Sequence, residues 1–400
     1  MGSTGGRPMM QIRRCAIVMF EPRSEVSLDL SLLLQGQAGL ATRMHWQALA
    51  AHLEAPVEVS IEEVDVMGRI ASDHWVEPAQ VGIEGAVLAR LLEVGLVISQ
   101  APGGAAHRDR DQRVRDANWW PLSALQHRMG RWGDINSARE MREHKLVTAQ
   151  DLHARFGAPP VAVDAPDTDP LVLPDTPDDA RDQLLRKRAT CRNFDALRAL
   201  ALPLVAQVLK RTVQAHAALR PGDGMEFLKK NIPSGGGLHP LETYVVALAV
   251  DGLVPGVYHY HPMEHALRPV AVATDDLRSM MLGFVSGQDW FADAPLHIIQ
   301  VARFPRSFWK YRSHPKAYRA VLLDAGHLSQ QWMLSATELG LAAYVTAAIN
   351  EINVEKALGL DGIDASPVMI CGLGWRAAAQ VTSEFDPLQQ VWQGNPASHP

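Results

Sequence analysis

The sequence predicts an α+β protein. Its C-terminal part alternates an antiparallel strand pair with helices, and a winged-helix-like domain precedes it. Three observations carry this. Thr243 to Val250 and Val257 to Tyr260 are apolar, β-branched runs separated by the turn residues Asp251-Gly252 and Pro255-Gly256. Leu328, Trp332, Ser335 or Ala336, and Leu339 recur at helical spacing and stop at Gly340. Near the N-terminus the order is helix, turn, helix, strand.

In chain order, Gln11 to Phe20 reads as a strand. Ser60-Ile61-Glu62-Glu63 is a capping box, and Val64, Met67 and Ile70 follow on one helical face. Ile83, Val87, Leu91 and Val94 mark a second helix, stopped by Gly95, and Leu96-Val97-Ile98 is a short strand. The segment from His107 to Asp116 is then expected to be the wing. It carries Arg108, Arg110, Arg113 and Arg115 against Asp109, Asp111 and Asp116, a near-neutral mixture and a poor reader of phosphates. Three readings of this domain stand: a clamp that takes an extended peptide by β-augmentation, a structural cap, and a DNA reader, which that charge balance disfavours. Trp119, Trp120 and Trp132 predict an apolar hub. Leu296 to Ala302 and Pro367 to Cys371 complete the buried strands.

Between Ala158 and Ala180, six prolines and six aspartates crowd together, so this stretch is expected to be extended and solvated. The expected division is therefore 1–157, a winged-helix-like, clamp-type domain; 158–180, a linker; and 181–400, the catalytic domain. The 400 residues are 47% hydrophobic and 20% charged, enough to bury several cores without disulfides or metal. Cys15, Cys191 and Cys371 are odd in number and far apart, which argues against a disulfide framework. A formal charge of −6 leaves no basic excess for nucleic acid. Six apolar residues after Arg13-Arg14 are too few for a signal, and no run approaches the about 18 of a membrane span. The expected compartment is the reducing cytoplasm.

Four motifs carry chemistry. In Arg188-Ala189-Thr190-Cys191-Arg192, two arginines bracket a hydroxyl, a set suited to an anion. Asn231-Ile232-Pro233-Ser234-Gly235-Gly236-Gly237-Leu238-His239-Pro240 holds three consecutive glycines, each a cost of roughly 0.5–1 kcal/mol inside regular structure. Without Cβ atoms such a backbone can lie flat against a planar ligand. Lys310-Tyr311 can act as a proton-transfer pair if the lysine stabilises the phenolate. His259, His261 and His265 have strand spacing for a metal, but only Glu264 stands ready to join them, so no metal site is assigned.

Together these motifs resemble one family. Ile232-Pro-Ser-Gly-Gly-Gly-Leu-His-Pro-Leu-Glu242 and Val254-Pro-Gly-Val-Tyr-His-Tyr-His-Pro262 are similar to the signature of SagB-type dehydrogenases, in the nitroreductase-like flavoprotein superfamily. Lys310-Tyr311, Tyr318-Arg319-Ala-Val-Leu-Leu-Asp-Ala-Gly-His327, Ala336-Thr-Glu-Leu-Gly-Leu341, Leu358-Gly-Leu-Asp-Gly362 and Gly372-Leu-Gly374 continue the resemblance, over about residues 181–376. The whole chain is most similar to the subgroup of peptide maturation dehydrogenases.

The resemblance implies a nitroreductase-like fold, a central, mostly antiparallel sheet wrapped by helices, in a homodimer with FMN at the subunit interface. It implies that Arg188, Thr190 and Arg192 hold the FMN phosphate and ribityl chain. Pro233, Ser234, Gly235 and Gly236 would lie along the isoalloxazine. Ala347 or Ala348 would offer a backbone N–H to flavin N5, and Gly372, Gly374 and Arg376 would close the phosphate end. Lys310 and Tyr311 match the proton-removing pair of azoline-oxidising members. Ala189 stands where many relatives have arginine or histidine, His239 where tyrosine is usual, and no lysine or arginine follows Arg376. The implied reaction is FMN-dependent oxidation of an azoline to an azole in a ribosomally made precursor peptide, alongside other peptide-modifying enzymes. The alternatives are an NAD(P)H-dependent nitroreductase of small molecules and a peptide-binding scaffold with a degenerate flavin site.

Overall fold

The computed structural model describes residues 10–392 apart from Gln37, Glu84 and Ala165. They divide into two compact units. The described residues up to Arg131, with Phe304–Tyr318 and Gly362–Asp364, form the first; Trp132–Arg303, Arg319–Asp361 and the chain from Ala365 form the second.

In the first unit, β1 (Ile12–Arg14) is followed by β2 (Val18–Leu28), α1 (Leu30–Leu34), β3 (Leu40–Ala50) and β4 (Val57–Val59). The expected strand from Gln11 to Phe20 is thus broken at Cys15, because β1 pairs with β5 while β2 turns away to pair with β3. Next come α2 (Ile61–Arg69), α3 (Ala86–Glu93) and β5 (Val97–Ser99). Ser60 and Glu63 form the anticipated capping box, and Gly95 takes φ +79° after α3. Ile12, Met67, Leu91, Leu96 and Ile98 pack in one core, each fully buried.

Contrary to the expected wing, residues 107–116 lie in α4 (Ala105–Asp116). Its charges are internal ties. Asp111, with no exposed surface, accepts hydrogen bonds from Arg13 Nη2 at 3.2 Å, Arg115 Nε at 2.8 Å and the Ala16 N–H at 2.6 Å. Helix α5 (Pro121–Met129) completes this part. The tryptophan hub is narrower than expected: Trp119 packs on His127, Phe304, Phe308 and Tyr318, whereas Trp132 is 38% exposed in the second unit.

The second unit opens with α6 (Ser137–Glu143), α7 (Ala149–Phe156) and α8 (Ala180–Lys187). Between α7 and α8 no helix or strand forms among the described residues, as proline and like charge dictate. Then follow β6 (Leu200–Ala201), α9 (Leu202–Thr212), the hairpin β7 (Ala215–Gly222) and β8 (Met225–Lys230), β9 (Leu241–Ala247), β10 (Val250–Asp251), β11 (Gly256–His261) and β12 (Ala266–Val270). After α10 (Leu277–Phe284), α11 (Asp289–Ala292) and β13 (Leu296–Arg303), the short α12 (Phe304–Phe308) belongs to the first unit. The last helices and strands are α13 (Ala317–Glu338), β14 (Ala342–Thr346), α14 (Glu351–Leu358) and β15 (Ala365–Gly374).

Six strands form a sheet in the order β12-β11-β9-β13-β15-β14, every neighbouring pair antiparallel. Seven of the eight residues of the central β13 are buried, as a strand covered on both faces requires. This is the helix-wrapped antiparallel sheet that the resemblance implies. Among the described residues no helix is long and apolar enough to cross a membrane.

Candidate active site

The arginine segment is extended backbone laid against the end of the sheet. Thr190 bridges to Ala343 of β14, and the Cys191 N–H donates to Ala343 O at 2.9 Å. Phe194 bridges to Arg376, and the Ala377 N–H donates to Asn193 O at 2.8 Å. Alternate side chains of an extended segment share a side. Ala189, Cys191 and Asn193 are buried, while Arg188, Thr190 and Arg192 stand together on the more open side. This alternation also accounts for a small residue at 189.

Gly372 and Gly374 sit at the same end of the sheet, for a packing reason. A Cβ on Gly372 would overlap the ring of Tyr344, and one on Gly374 would lie 2.6 Å from Pro295 Cδ and 2.8 Å from Phe194 Cδ1. The Arg376 guanidinium pairs with Glu384. Burial draws its pKa below the usual arginine value.

The glycine segment is an ordered loop. The Ser234 hydroxyl donates to Asp324 Oδ2 at 2.5 Å, and the Gly235 N–H donates to Asp324 Oδ1 at 3.0 Å. Ser234 Oγ accepts the His239 N–H at 2.8 Å. Gly236 and Gly237 take φ +64° and +68°, where a side chain is strained. They line a groove of about 410 Å³ with Ala217, Leu219, Phe227 and Leu228 of the β7–β8 hairpin. Helix α13 anchors both ends of this region. Asp324 holds the glycine loop, and Trp332, eight residues on, donates from Nε1 to Gly372 O at 2.9 Å. That separation is about 12 Å along a helix axis.

Beyond β14, Ala347 is exposed, and the Ala348 N–H donates to Thr346 Oγ1 at 3.2 Å. Lys310 and Tyr311 lie in the turn after α12, within the first unit. The Lys310 ammonium is 5.4 Å from the centre of the Tyr311 ring, and the Tyr311 N–H donates to Ser307 O at 3.2 Å.

Sequence reasoning assigned no role to three groups. Asp324 lies inside a motif read for its resemblance alone; burial raises its pKa, opposed by the bonds from Ser234 and Gly235. Glu384 lies in a segment with no motif. Lys230, 7% exposed, ends β8 just before the glycine loop, and burial lowers its pKa to about 8. Nearby, Glu242 bonds Arg303 Nη1 at 2.8 Å and His259 Nε2 at 3.3 Å. His259 thus serves a carboxylate, and His265 Nδ1 lies 2.7 Å from the Tyr260 hydroxyl.

The model of the nitroreductase family matches residues 185–375, from the last turn of α8 to the end of β15. These residues are a nitroreductase-family domain. The trifolitoxin-processing protein TfxB of Rhizobium leguminosarum bv. trifolii is 36% identical over 138 residues, 34% of this chain and 37% of that protein. The microcin B17-processing protein McbC of Escherichia coli is 29% identical over 174 residues, 42% of this chain and 60% of that protein. The chain therefore spans less than two thirds of either relative. Among solved structures, the E. coli microcin synthetase McbBCD complex with truncated pro-MccB17 bound covers 66% of this chain and 92% of its own matched chain, at 22% identity and a TM-score of 0.48. The nitroreductase-family match encloses the arginine segment, the glycine loop, Lys310-Tyr311 and both β15 glycines.

Proposed function

We propose that this chain is an FMN-dependent dehydrogenase of the SagB type that oxidises an azoline to an azole in a ribosomally synthesised precursor peptide. The observation that carries the reading is the pairing of a nitroreductase-family domain with two relatives that process peptides, trifolitoxin and microcin B17.

The residues fit a flavin. A Cβ on Gly237 would meet nothing within 4 Å, so bare backbone faces the groove and a planar ring can lie against it. In this reading Pro233, Ser234, Gly235 and Gly236 line the ring, Arg188, Thr190 and Arg192 hold phosphate and ribityl chain, and Gly372, Gly374 and Arg376 close that end. Ala347 or Ala348 offers a backbone N–H to the ring. FMN bound there supplies a hydride acceptor at N5. Tyr311 is the base or relay for the neighbouring proton, with the Lys310 ammonium beside its ring. Two copies of the chain enclose the cofactor between them.

Residues 1–157 serve as the peptide clamp, joined by the 158–180 linker to the flavin domain of 181–400. Support comes from β3, whose eleven residues are paired by β4 only at Trp46, Gln47 and Ala48. No other described strand pairs with that edge beside Leu40 to His45. A groove of about 530 Å³ lined by Met44, His45, Trp46, Ile61 and Arg90 runs beside it, room for an added strand.

The absorption spectrum of the purified protein is the first test, with a yellow flavoprotein expected. Mass spectrometry of a co-expressed precursor peptide should then show a loss of about 2 Da per ring, the two hydrogens removed. Colourless protein would indicate a scaffold instead. Rapid bleaching by NAD(P)H with no change in peptide mass would indicate a small-molecule reductase.

A further inference from the structure

The C-terminal segment is tied to the arginine segment through one buried carboxylate. Glu384 has no exposed surface. It accepts the Arg192 N–H at 2.7 Å, Asn193 Nδ2 at 2.8 Å, Trp392 Nε1 at 2.8 Å and the Arg376 guanidinium. The ties continue on either side. Asn193 Oδ1 accepts the N–H groups of Val381 and Thr382, both at 2.7 Å, and Arg192 Nη1 donates to Ser383 O at 2.9 Å. Asp386 accepts the N–H groups of Gln390, Val391 and Trp392, which fixes the indole that reaches back to Glu384. The Arg376 guanidinium lies 5.4 Å from the centre of the Trp392 ring.

We propose that Glu384 is a positioning residue for the phosphate end of the site: it fixes the Arg192–Asn193 backbone and engages Arg376, so that phosphate is held by Arg188, Thr190 and Arg192 and not by Arg376. This rests on the flavin reading above. The charge arithmetic supports it. A buried carboxylate is stable only with its donors in place, and Arg376 is one of four. A phosphate brought to the same guanidinium would add negative charge beside Glu384, and like charges at that range oppose each other. Arg188 and Thr190 lie on the opposite side of the segment from Asn193, away from that repulsion.

The test uses the full-length apoprotein and two ligands, FMN and riboflavin, which differ by the phosphate alone. Glu384→Gln keeps the side chain's size and one acceptor oxygen but removes the charge. Its FMN dissociation constant should rise about tenfold, with riboflavin binding within about twofold of wild type. Amide exchange across residues 190–193 should accelerate without any ligand. Trp392→Phe removes one donor and should give the same split at about threefold; it decides the matter if Glu384→Gln does not fold. Equal weakening of both ligands would reduce Glu384 to a structural role and overturn the proposal, as would unchanged FMN binding. In Arg376→Ala, FMN binding that weakens only together with faster exchange at 190–193 supports it; a loss confined to FMN in that variant, with exchange at 190–193 unchanged, returns the phosphate to Arg376. Wild type that binds neither ligand overturns the flavin reading itself.

Discussion

The Ser234 hydroxyl donates to Asp324 Oδ2 at 2.5 Å, joining the glycine loop to the middle of α13 across 90 positions of sequence. Ser234 Oγ also accepts the His239 N–H, so one hydroxyl closes the loop on itself and onto the helix. Ser234→Ala leaves a 4%-exposed carboxylate short of one donor and a backbone N–H without its acceptor. Each loss is worth about 1–3 kcal/mol when buried. The urea midpoint should therefore fall, and the flavin should be lost on dilution. Asp324→Asn, which keeps one acceptor, should lie between. A Ser234→Ala protein with wild-type stability and flavin content would show that the loop is held by other means.

Gly374→Ala tests whether the β15 glycines are there for packing. The new Cβ would press on Pro295 and Phe194, one wall of the arginine segment's anchorage. Overpacking of this kind costs about 1–3 kcal/mol. Thermal unfolding of the apoprotein should report it without any ligand present. A loss visible only in flavin affinity, with apoprotein stability unchanged, would show that the glycine serves the ligand directly.

Tyr311→Phe separates chemistry from binding. The variant should keep its flavin spectrum, because the phenol hydroxyl is assigned to proton removal and not to the cofactor. Conversion of the co-expressed peptide should fall by about two to four orders of magnitude, the usual span for a lost general base. Turnover at the wild-type rate would remove Lys310 and Tyr311 from the mechanism.

Much of this framework is legible in the sequence, and what escapes it has a common physical character. The Ser60 capping box, the glycine stops at Gly95 and Gly340, and the β9–β11 pair are local signals, and each forms. In the arginine segment, buried and open residues alternate at successive positions, a local pattern within one short window. Helix α4 was hidden because only Val114 among its residues is a buried apolar side chain, and its anchor, Asp111 to Arg13, spans 98 positions. Glu384 meets Arg192 across 192 positions. Phe304, Phe308 and Tyr318 gather on Trp119, so Lys310 and Tyr311 fold with the first unit. Pairings of this kind depend on the finished topology, and no short window of sequence contains both partners.

Lys230 gives a pH-dependent signature. Burial lowers its pKa to about 8, against 10.5 for an exposed lysine. Below pH 8 the folded protein carries the buried charge at full cost; between 8 and 10.5 the unfolded chain holds a proton that the fold has released, so stability rises with pH. Lys230→Met should therefore stabilise the protein near neutrality by up to about 3 kcal/mol, the free-energy equivalent of that shift. The gain should shrink towards pH 10. Urea denaturation of both proteins at pH 7 and 9.5 checks it, and a gap that does not narrow would mean that the ammonium is not desolvated.

His127, in the first unit, gives a dependence of the same sign in a more acidic window. Its ring stacks on Trp119 with centroids 5.3 Å apart, and its Nε2 lies 3.2 Å from Gly362 O. Burial, reinforced by the charges of Arg131 and Arg128, lowers its pKa to about 3 from the ordinary 6.5. The unfolded chain binds a proton as pH falls through 6.5, while the fold keeps the ring neutral down to about 3. This histidine's contribution is thus complete above pH 6.5 and is lost steadily below it, at up to about 1.4 kcal/mol per pH unit. His52, lowered to about 4 by burial, adds to the same slope, and so do carboxylates such as Glu54. His127→Gln isolates one share of it, since glutamine retains a donor and an acceptor but does not titrate. Stability measured in urea at pH 5.5 and 4.5 should fall less steeply in the variant by close to one proton. Parallel slopes would mean that His127 is already charged in the fold, with its ring open to water and not held neutral against Trp119.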